Sequence, residues 1–328
     1  MYSRTRIGHL LLWGLAWMGV YACREDVYEF APYPPAAEDF SALLEQVAEA
    51  ANHAVFHFEG AGALSEDTTL TLVNSGVRLF LTQTETLFEG EDGVPVPCST
   101  CPSLSVEVTF SARKGEWLAR GLSQRSYPEG KVMESVGIVR LRASCAGKPL
   151  RLRPGRAIRV QIPVNASKNN LGLFTAQEDS KGNRLGWRDL NQPALSVVFP
   201  ISLGGSLQPG YEVQLPQVGW FNCARVLPDS TVSLCVTLPK QFTALNTRVF
   251  AVFNYTQAAV ELEGSMADSR FCLEKAPVGR AVSLVVISKI STQYWAAEFS
   301  TQVSTSAELS LVPRPVLEEA ILSLLKKF

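Results

Sequence analysis

The sequence predicts a mainly β protein: two antiparallel β-sandwich-like domains, with a short N-terminal helix before them and a C-terminal helix after them. Short runs in which apolar and polar residues alternate recur from about residue 54 onward, and they are rich in β-branched and aromatic residues. Turns containing Gly, Pro, Asn or Asp separate these runs. The hydrophobic content of 46% and charged content of 19% are typical of a globular chain. Many short strands at this spacing favour antiparallel sandwiches.

Residues 1–22 are predicted to be a lipoprotein signal peptide. Two arginines precede an apolar run over residues 7–20, which is short for a membrane span of about 20 residues and is interrupted by His9. The run leads into Val20-Tyr21-Ala22-Cys23, which resembles the lipobox of bacterial lipoproteins. The resemblance implies cleavage after Ala22 and acylation of Cys23. An uncleaved membrane anchor and an ordinary secretory signal are the alternatives.

The residues after this cysteine carry a second signal. Arg24, Glu25 and Asp26 resemble the surface-export signal of Bacteroidetes-type lipoproteins, in which a base and two acids follow the acylated cysteine. The resemblance implies an outer-membrane lipoprotein that faces the cell exterior; a charged tether facing the periplasm is the alternative. Residues 23–37 contain three prolines and are predicted to be an extended tether. Two or more acyl chains anchor a protein stably, so the lipid anchor is the expected membrane contact.

Two helices are predicted outside the strands. Residues 38–60 should contain a helix and the lead-in to the first strand, because apolar residues recur at three- and four-residue spacing over 38–52. Residues 315–328 should form the C-terminal helix. Pro315 would begin it, with two glutamates in its first turn and two lysines in its last.

The strands divide into two sets. In the first predicted domain, 61–205, strands are expected at 69–73, 77–81, 104–110, 137–144 and 157–164. In the second, 206–314, they are expected at 232–238, 247–254, 258–264, 281–288, 294–300 and 307–313. The boundary between the two predicted domains is placed within the turn-rich stretch 200–210.

Besides Cys23 the chain has six cysteines, and an even number in an exported protein favours disulfides. The candidates are Cys98, Cys101, Cys145, Cys223, Cys235 and Cys272. A bridge between the first two would close a very small loop, whereas pairing either with Cys145 would tie that loop to the end of strand 137–144. The last three should supply another bridge. The connectivity stays open, since six cysteines allow 15 pairings.

Several longer stretches carry a family resemblance. They are VEVTF (106–110), 121–144, 147–164, 171–190, GWFNCAR (219–225) and 276–287. Together they resemble a β-rich module of Bacteroidetes-type exported lipoproteins whose activity is unknown, and the first half is weakly similar to ZU5-type sandwich modules. That family has an acid after its Gly-Trp-x-Asn-Cys segment, where this chain has Ala224. The resemblance implies architecture and location, and supplies no catalytic residue.

No catalytic residue, metal site or cofactor is expected from the sequence. It lacks a nucleophile elbow, a P-loop and a dinucleotide fingerprint. His53 and His57 are four residues apart, but apolar residues lie among them and no glutamate follows His53 as in a zinc-protease helix. The formal net charge is −1, and the basic residues of 140–159 lack interleaved aromatic residues, so no nucleic-acid partner is expected.

Four tryptophans and two Asp-Ser/Thr motifs are further candidate sites. Trp117, Trp187, Trp220 and Trp295 are core residues or, alternatively, platforms for stacking sugars. Asp67-Thr68-Thr69 and Asp229-Ser230-Thr231 resemble the O-glycosylation acceptor of exported Bacteroidetes-type proteins, so Thr68 and Ser230 are candidate sites.

The sequence leaves two functions open. One is a non-enzymatic, membrane-anchored surface lipoprotein with a binding, adhesion or envelope-assembly role and a glycan or protein ligand. The other is a carbohydrate-active or other hydrolase whose site forms only in the fold. A cleft with two carboxyl groups about 5 to 9 Å apart would favour the hydrolase. Flat sheet faces would favour the first function.

Overall fold

The computed structural model describes residues 39–48, 52–60, 64, 66–180, 182, 184–200, 207–266, 268–304 and 307–328. The predicted signal peptide, Cys23 and the residues Arg24, Glu25 and Asp26 lie outside the described residues. The described residues all belong to one compact unit, which runs from Ala37 to Phe328. Within them, no helix has both the length and the apolar character needed to cross a membrane.

The prediction of a mainly β chain with a helix near each end is confirmed. The helices are α1 (Ser41–Ala48), α2 (Lys114–Ala119) and α3 (Glu318–Lys326). The strands of the first half are β1 (Asn52–Glu59), β2 (Thr68–Thr71), β3 (Arg78–Leu81), β4 (Phe88–Gly90), β5 (Pro95–Val96), β6 (Ser103–Ser111), β7 (Ser126–Tyr127), β8 (Met133–Cys145), β9 (Lys148–Leu152), β10 (Ile158–Pro163), β11 (Gly172–Glu178), β12 (Arg184–Pro193) and β13 (Leu195–Pro200).

The remaining strands follow in the second half. They are β14 (Leu207–Leu215), β15 (Gly219–Val226), β16 (Thr231–Thr237), β17 (Thr247–Phe253), β18 (Ala258–Glu261), β19 (Glu263–Gly264), β20 (Arg270–Pro277), β21 (Ala281–Ile290), β22 (Gln293–Gln302), β23 (Ala307–Ser310) and β24 (Arg314–Val316).

Two sheets enclose the first core. One sheet has the order β5-β4-β9-β8-β15-β11-β12-β7, with β6 also pairing with β8 and β1 pairing with β6; the other has the order β13-β14-β10-β3-β2. Val106 and Leu141 from the first sheet meet Leu79 and Val160 from the second in one buried cluster. Buried and half-buried residues alternate along β10, as expected of a strand with one face on a core.

The second sandwich is formed by the sheets β19-β20-β16-β23 and β18-β17-β21-β22-β24. Leu234 and Leu284 pack in the core between them. The opposite face of the second of these sheets is covered by the three helices, where Phe250 and Val285 pack against Leu43 and neighbouring helix residues. Strands β17 and β21 therefore bury both faces, which explains their nearly continuous apolar runs.

The change from one sandwich to the other comes later than the boundary predicted at residues 205 and 206. Strand β14 pairs with β10 and β13, and β15 pairs with β8 and β11, so both belong to the first sandwich. Strand β13 ends at Pro200 and β14 begins at Leu207, and the two are antiparallel neighbours, so the predicted boundary falls within one sheet. The chain passes to the second sandwich between Val226 and Thr231.

Both terminal helices are shorter than the segments predicted for them. Helix α1 ends at Ala48, and Asn52 already begins β1, so His53 and His57 lie on a strand and not on a helix. Pro315 does not begin the C-terminal helix. It lies in β24, which pairs with β22, and α3 begins three residues later at Glu318. Pairing with the sheet edge holds residues 314–316 extended and delays the helix.

The six described cysteines form two disulfides. Cys101 bonds to Cys145, with 5.8 Å between the Cα atoms, and Cys235 bonds to Cys272, with 4.2 Å. These pairs agree with the predicted bridge to Cys145 and with one bridge in the second half. Of the described cysteines, Cys98 and Cys223 are free and buried. Burial raises the pKa of Cys98 to about 11, with Glu85 adding to the effect, and burial raises that of Cys223 to about 12. Both thiols are therefore protonated at neutral pH.

A cluster of ion pairs connects β8 with β15 and with the loop before β11. Glu134 is buried and accepts hydrogen bonds from Arg225, at 2.9 Å from Nε and 2.6 Å from Nη2, and from the ammonium group of Lys168. Burial by itself would raise the pKa of Glu134. The hydrogen bonds and charges of Lys168 and Arg225 outweigh burial and hold that pKa below its ordinary value of 4.5.

The Glu134→Gln variant should be less stable than the wild type by about 2 kcal/mol at pH 7, because charge-assisted hydrogen bonds are lost. A carboxyl with a lowered folded-state pKa contributes stability above its unfolded-state pKa and loses that contribution as the pH falls through the folded-state value. The difference in unfolding free energy should therefore shrink below about pH 4.5. Urea denaturation of both proteins from pH 7 to pH 3 measures this. A difference that stays constant over this range would contradict the assignment.

Candidate functional site

A cleft of about 790 Å³ opens where the two sandwiches meet. The first sandwich contributes residues of the 121–125 segment and of 184–187 on β12. The second contributes residues of 244–248, 261–264 and Phe271, and Phe40, just before α1, completes the lining. The cleft is therefore a product of the packing between the two halves.

The segment 122–127 is the element that joins the two sides of the cleft. On one side, the backbone N–H of Trp187 donates to the Arg125 carbonyl at 2.8 Å. On the other side, the Gln124 N–H donates to the Ala259 carbonyl at 2.9 Å, and the Glu261 N–H donates to the Ser123 hydroxyl at 3.1 Å. Backbone hydrogen bonds thus hold the side chains of this segment in place between β12 and β18.

Gly186 lets β12 approach this segment closely. Its φ is +139°, and a Cβ there would lie 2.7 Å from the Arg125 carbonyl oxygen. Only glycine combines this backbone conformation with such a short approach. The glycine therefore helps to set the position of Arg125 at the cleft.

Two carboxylates of the cleft are paired with arginines. Arg125 forms an ion pair with Glu263, and its Nη2 donates to the Glu261 carbonyl at 3.0 Å. Arg248 Nη1 lies 3.2 and 3.3 Å from the two carboxylate oxygens of Glu261. Burial raises the pKa of Glu261, while Arg248 and Arg125 act in the opposite direction. The Glu261 side chain remains 32% exposed, so a molecule in the cleft can reach it.

Arg184 is the third cation of the cleft, and its charge is less well neutralised. Its Nη1 donates to the Arg120 carbonyl, and its guanidinium carbon lies 5.2 Å from the Trp220 ring. Among the described residues, the carboxylate paired with it is Glu178, whose oxygen is 3.8 Å from Nε. Burial lowers the pKa of Arg184; Glu178 opposes this and Arg120 adds to it. Arginine nevertheless stays charged at neutral pH.

The four candidate tryptophans pack in the cores or against them. Trp117 and Trp187 are buried, and their indole N–H groups donate to the carbonyls of Ser111 at 3.0 Å and Ser123 at 2.9 Å. Trp220 is also buried, and Trp295 packs at the edge of the second core. The rings of Trp117, Trp187 and Trp220 are therefore covered by protein and do not offer platforms for stacking sugars, whereas Trp295 is half-buried.

The segments that carry the family resemblance meet in a buried polar network. The Ser135 hydroxyl donates to the Asn222 side-chain carbonyl at 2.6 Å, and the Asn222 amide donates to the Gln124 side-chain carbonyl at 2.7 Å. The Gln124 amide donates to the Leu122 carbonyl at 2.9 Å. All three side chains are buried with no exposed area. Asn222, the asparagine of GWFNCAR, therefore holds the 122–127 segment in place through its hydrogen bond to Gln124.

The other predicted candidates lie away from the cleft. Ser230 is exposed just before β16, where its neighbour Asp229 pairs with Arg280 at 2.9 Å. Thr68 begins β2, is half-buried and donates to the Glu66 carbonyl at 3.2 Å. Their glycosylation stays a prediction. His53 is exposed on β1 with its Nδ1 3.1 Å from the Thr109 hydroxyl. The described part of the chain contains no group of three His, Cys, Asp or Glu side chains placed to hold a metal ion.

Sequence reasoning did not identify the charged residues of the cleft. One local signal was present: Glu261 and Glu263 are two residues apart in AAVELEG, so an extended chain would direct both toward one side. The arginines that pair with them come from distant segments. Arg125 is 138 residues from Glu263 along the chain, and no local spacing indicates that contact.

Comparisons with known proteins leave the family open. No family model matches the sequence, and no curated protein matches it. Among solved structures, the Bacillus anthracis TIE protein is similar over 64% of this chain, at 14% sequence identity and a TM-score of 0.20. The matched region spans 41% of that protein's chain. A similarity at this TM-score supports no inference about fold or function.

Proposed function

We propose that this chain is a non-enzymatic, membrane-anchored surface lipoprotein that binds a glycan in the cleft between its two sandwiches. The observation that carries the proposal is the composition of the cleft. Three arginines and two glutamates line one concavity of about 790 Å³, and they are mounted on strands or held by backbone hydrogen bonds. Concave sites with a few fixed polar groups are typical of ligand binding.

The pairing of the charged groups favours binding over catalysis. Glu261 and Glu263 each accept from a guanidinium group, which orients the carboxylates and occupies part of their hydrogen-bonding capacity. Carboxylate and guanidinium groups side by side present both acceptors and donors, as sugar hydroxyl groups require. The neighbouring Ser123 hydroxyl already accepts from the Glu261 backbone, so it is engaged in the fold.

A hydrolase is the second candidate, and one observation favours it. Glu261 and Glu263 line the same cleft, and the pKa of Glu261 is raised, as a general acid requires. Glycosidases use two carboxyl groups, one of them protonated. Assays of binding and of hydrolysis on the same variant distinguish the two functions.

Binding of the mature chain, prepared without its acyl anchor, to a glycan array tests the cleft. Wild-type protein should retain a subset of glycans without cleaving them, and Glu261→Gln should weaken that binding about tenfold through loss of charged hydrogen bonds. Glu308→Gln is the matched control, because its ion pair with Arg270 at 3.3 Å lies on β20 and β23, outside the cleft. Release of shorter sugars by the wild type, but not by Glu261→Gln, would indicate a hydrolase. Equal binding by all three proteins would contradict the cleft assignment.

The anchor is tested in cells. The Cys23→Ala variant should lack fatty acid and appear in the soluble fraction, because the thiol that accepts the lipid is missing. Replacing Glu25 and Asp26 by alanine should leave the protein acylated but protect it from protease added to intact cells. A Cys23→Ala precursor that stays in the membrane would instead indicate an uncleaved anchor, and unchanged protease sensitivity would reject the export signal.

A further inference from the structure

The lining of the cleft contains three arginines, Arg125, Arg184 and Arg248, but only two glutamates, Glu261 and Glu263. Arg125 is paired with Glu263, and Arg248 is paired with Glu261, so these four side chains largely neutralise one another. Arg184 remains, with Glu178 as its paired carboxylate at 3.8 Å among the described residues. That distance exceeds the 2.7 to 2.9 Å of a close charge-assisted hydrogen bond, so no carboxylate of the described residues saturates the donors of Arg184.

Arg184 is also held in position before any ligand binds. Its Nη1 is engaged by the Arg120 carbonyl, and its guanidinium faces the ring of the buried Trp220 at 5.2 Å. A planar, oriented guanidinium recognises a carboxylate through two parallel hydrogen bonds. Because the side chain is already restrained, binding an anion costs less conformational entropy than it would with a freely moving arginine.

The rest of the cleft is suited to the uncharged part of the same ligand. The Glu261 and Glu263 carboxylates accept hydrogen bonds and the Arg248 guanidinium donates them, which matches a row of sugar hydroxyl groups.

We propose that the ligand is an acidic saccharide, whose carboxylate binds Arg184 and whose hydroxyl groups contact the paired charges of Glu261, Glu263 and Arg248. This inference rests on the proposed function, since it names the class of glycan that the same cleft selects. It requires no covalent step.

Calorimetry with the mature chain tests the inference, with trigalacturonate and triglucuronate as acidic probes and the methyl ester of each as the neutral match. Binding of at least one acid should be about tenfold or more tighter than binding of its ester, because the ester cannot form the charged hydrogen bonds. Arg184→Gln should remove that preference. Arg188→Gln, a charge change on the same strand but outside the cleft, should keep it. Thermal unfolding of both variants checks that they are folded.

The possible results distinguish the proposed binding cleft from the proposed preference for an acidic saccharide. Equal binding of acid and ester, lost in Glu261→Gln but unchanged in Arg184→Gln, would keep the binding cleft and overturn the acidic preference. Full competition by sulfate at the same concentration would reduce the site to a simple anion site and overturn the saccharide assignment. Failure of the acids, the esters and every glycan on the array to bind would overturn both proposals.

Discussion

Replacing Cys235 and Cys272 together by alanine is expected to lower the free energy of unfolding by about 4 kcal/mol. The bridge joins residues 37 apart in sequence, and closing a loop of that length restricts the unfolded chain by about this amount in the chain-entropy model. Replacing Cys101 and Cys145, which are 44 apart, should have a similar effect. Urea denaturation of the purified protein gives the free energies, and mass spectrometry of non-reduced peptides identifies the bonds.

The free cysteines provide the matched control. Cys98→Ala and Cys223→Ala remove buried sulfur atoms without opening a loop, so each should cost only about 1 kcal/mol. Thiol reagents should modify neither residue in the native protein, since both are buried and protonated, and should modify both after unfolding. Rapid modification of the native protein, or equal destabilisation by all these substitutions, would contradict the disulfide assignment.

Asn222→Leu is expected to cost about 2 to 6 kcal/mol, because two buried polar groups lose their closest side-chain partner, at about 1 to 3 kcal/mol each. The groups are the Ser135 hydroxyl, which donates to Asn222 at 2.6 Å, and the Gln124 side-chain carbonyl, which accepts from it at 2.7 Å. Asn165→Leu, an exposed position between β10 and β11, is the control and should change stability by less than about 0.5 kcal/mol.

A double-mutant cycle distinguishes this network from simple loss of packing. Ser135→Ala in the Asn222→Leu background should cost less than in the wild type, since the hydroxyl has already lost its closest acceptor. Asn222→Leu should also weaken ligand binding, because it removes the partner of Gln124, which lies between Ser123 and Arg125 at the cleft. Additive free energies would show that the three side chains act independently.

The architecture could be predicted from local sequence where one physical cause dominates. The run 157–164 alternates because β10 has one face on the core, and the observed strand is Ile158–Pro163. The run 281–288 is nearly all apolar and is again a strand, Ala281–Ile290. Helix α2 was missed because Lys114–Ala119 is too short to show a helical period. Strands β11 to β15 were missed because their sequences, such as RLGWRDLNQP in β12, do not alternate apolar and polar residues regularly.

By itself, the sequence determined the mainly β class, most strands of the second half and the set of cysteines from which both bridges are drawn. These features depend on residues close together in the chain or on composition. Only the tertiary structure decided which strands pair, where the sandwiches divide and which charges face the cleft. β15 joins the first sandwich through β8, some 80 residues earlier, and Arg125 reaches Glu263 across 138 residues. Such contacts depend on how whole sheets pack, and alternation along a single strand contains no information about its partner.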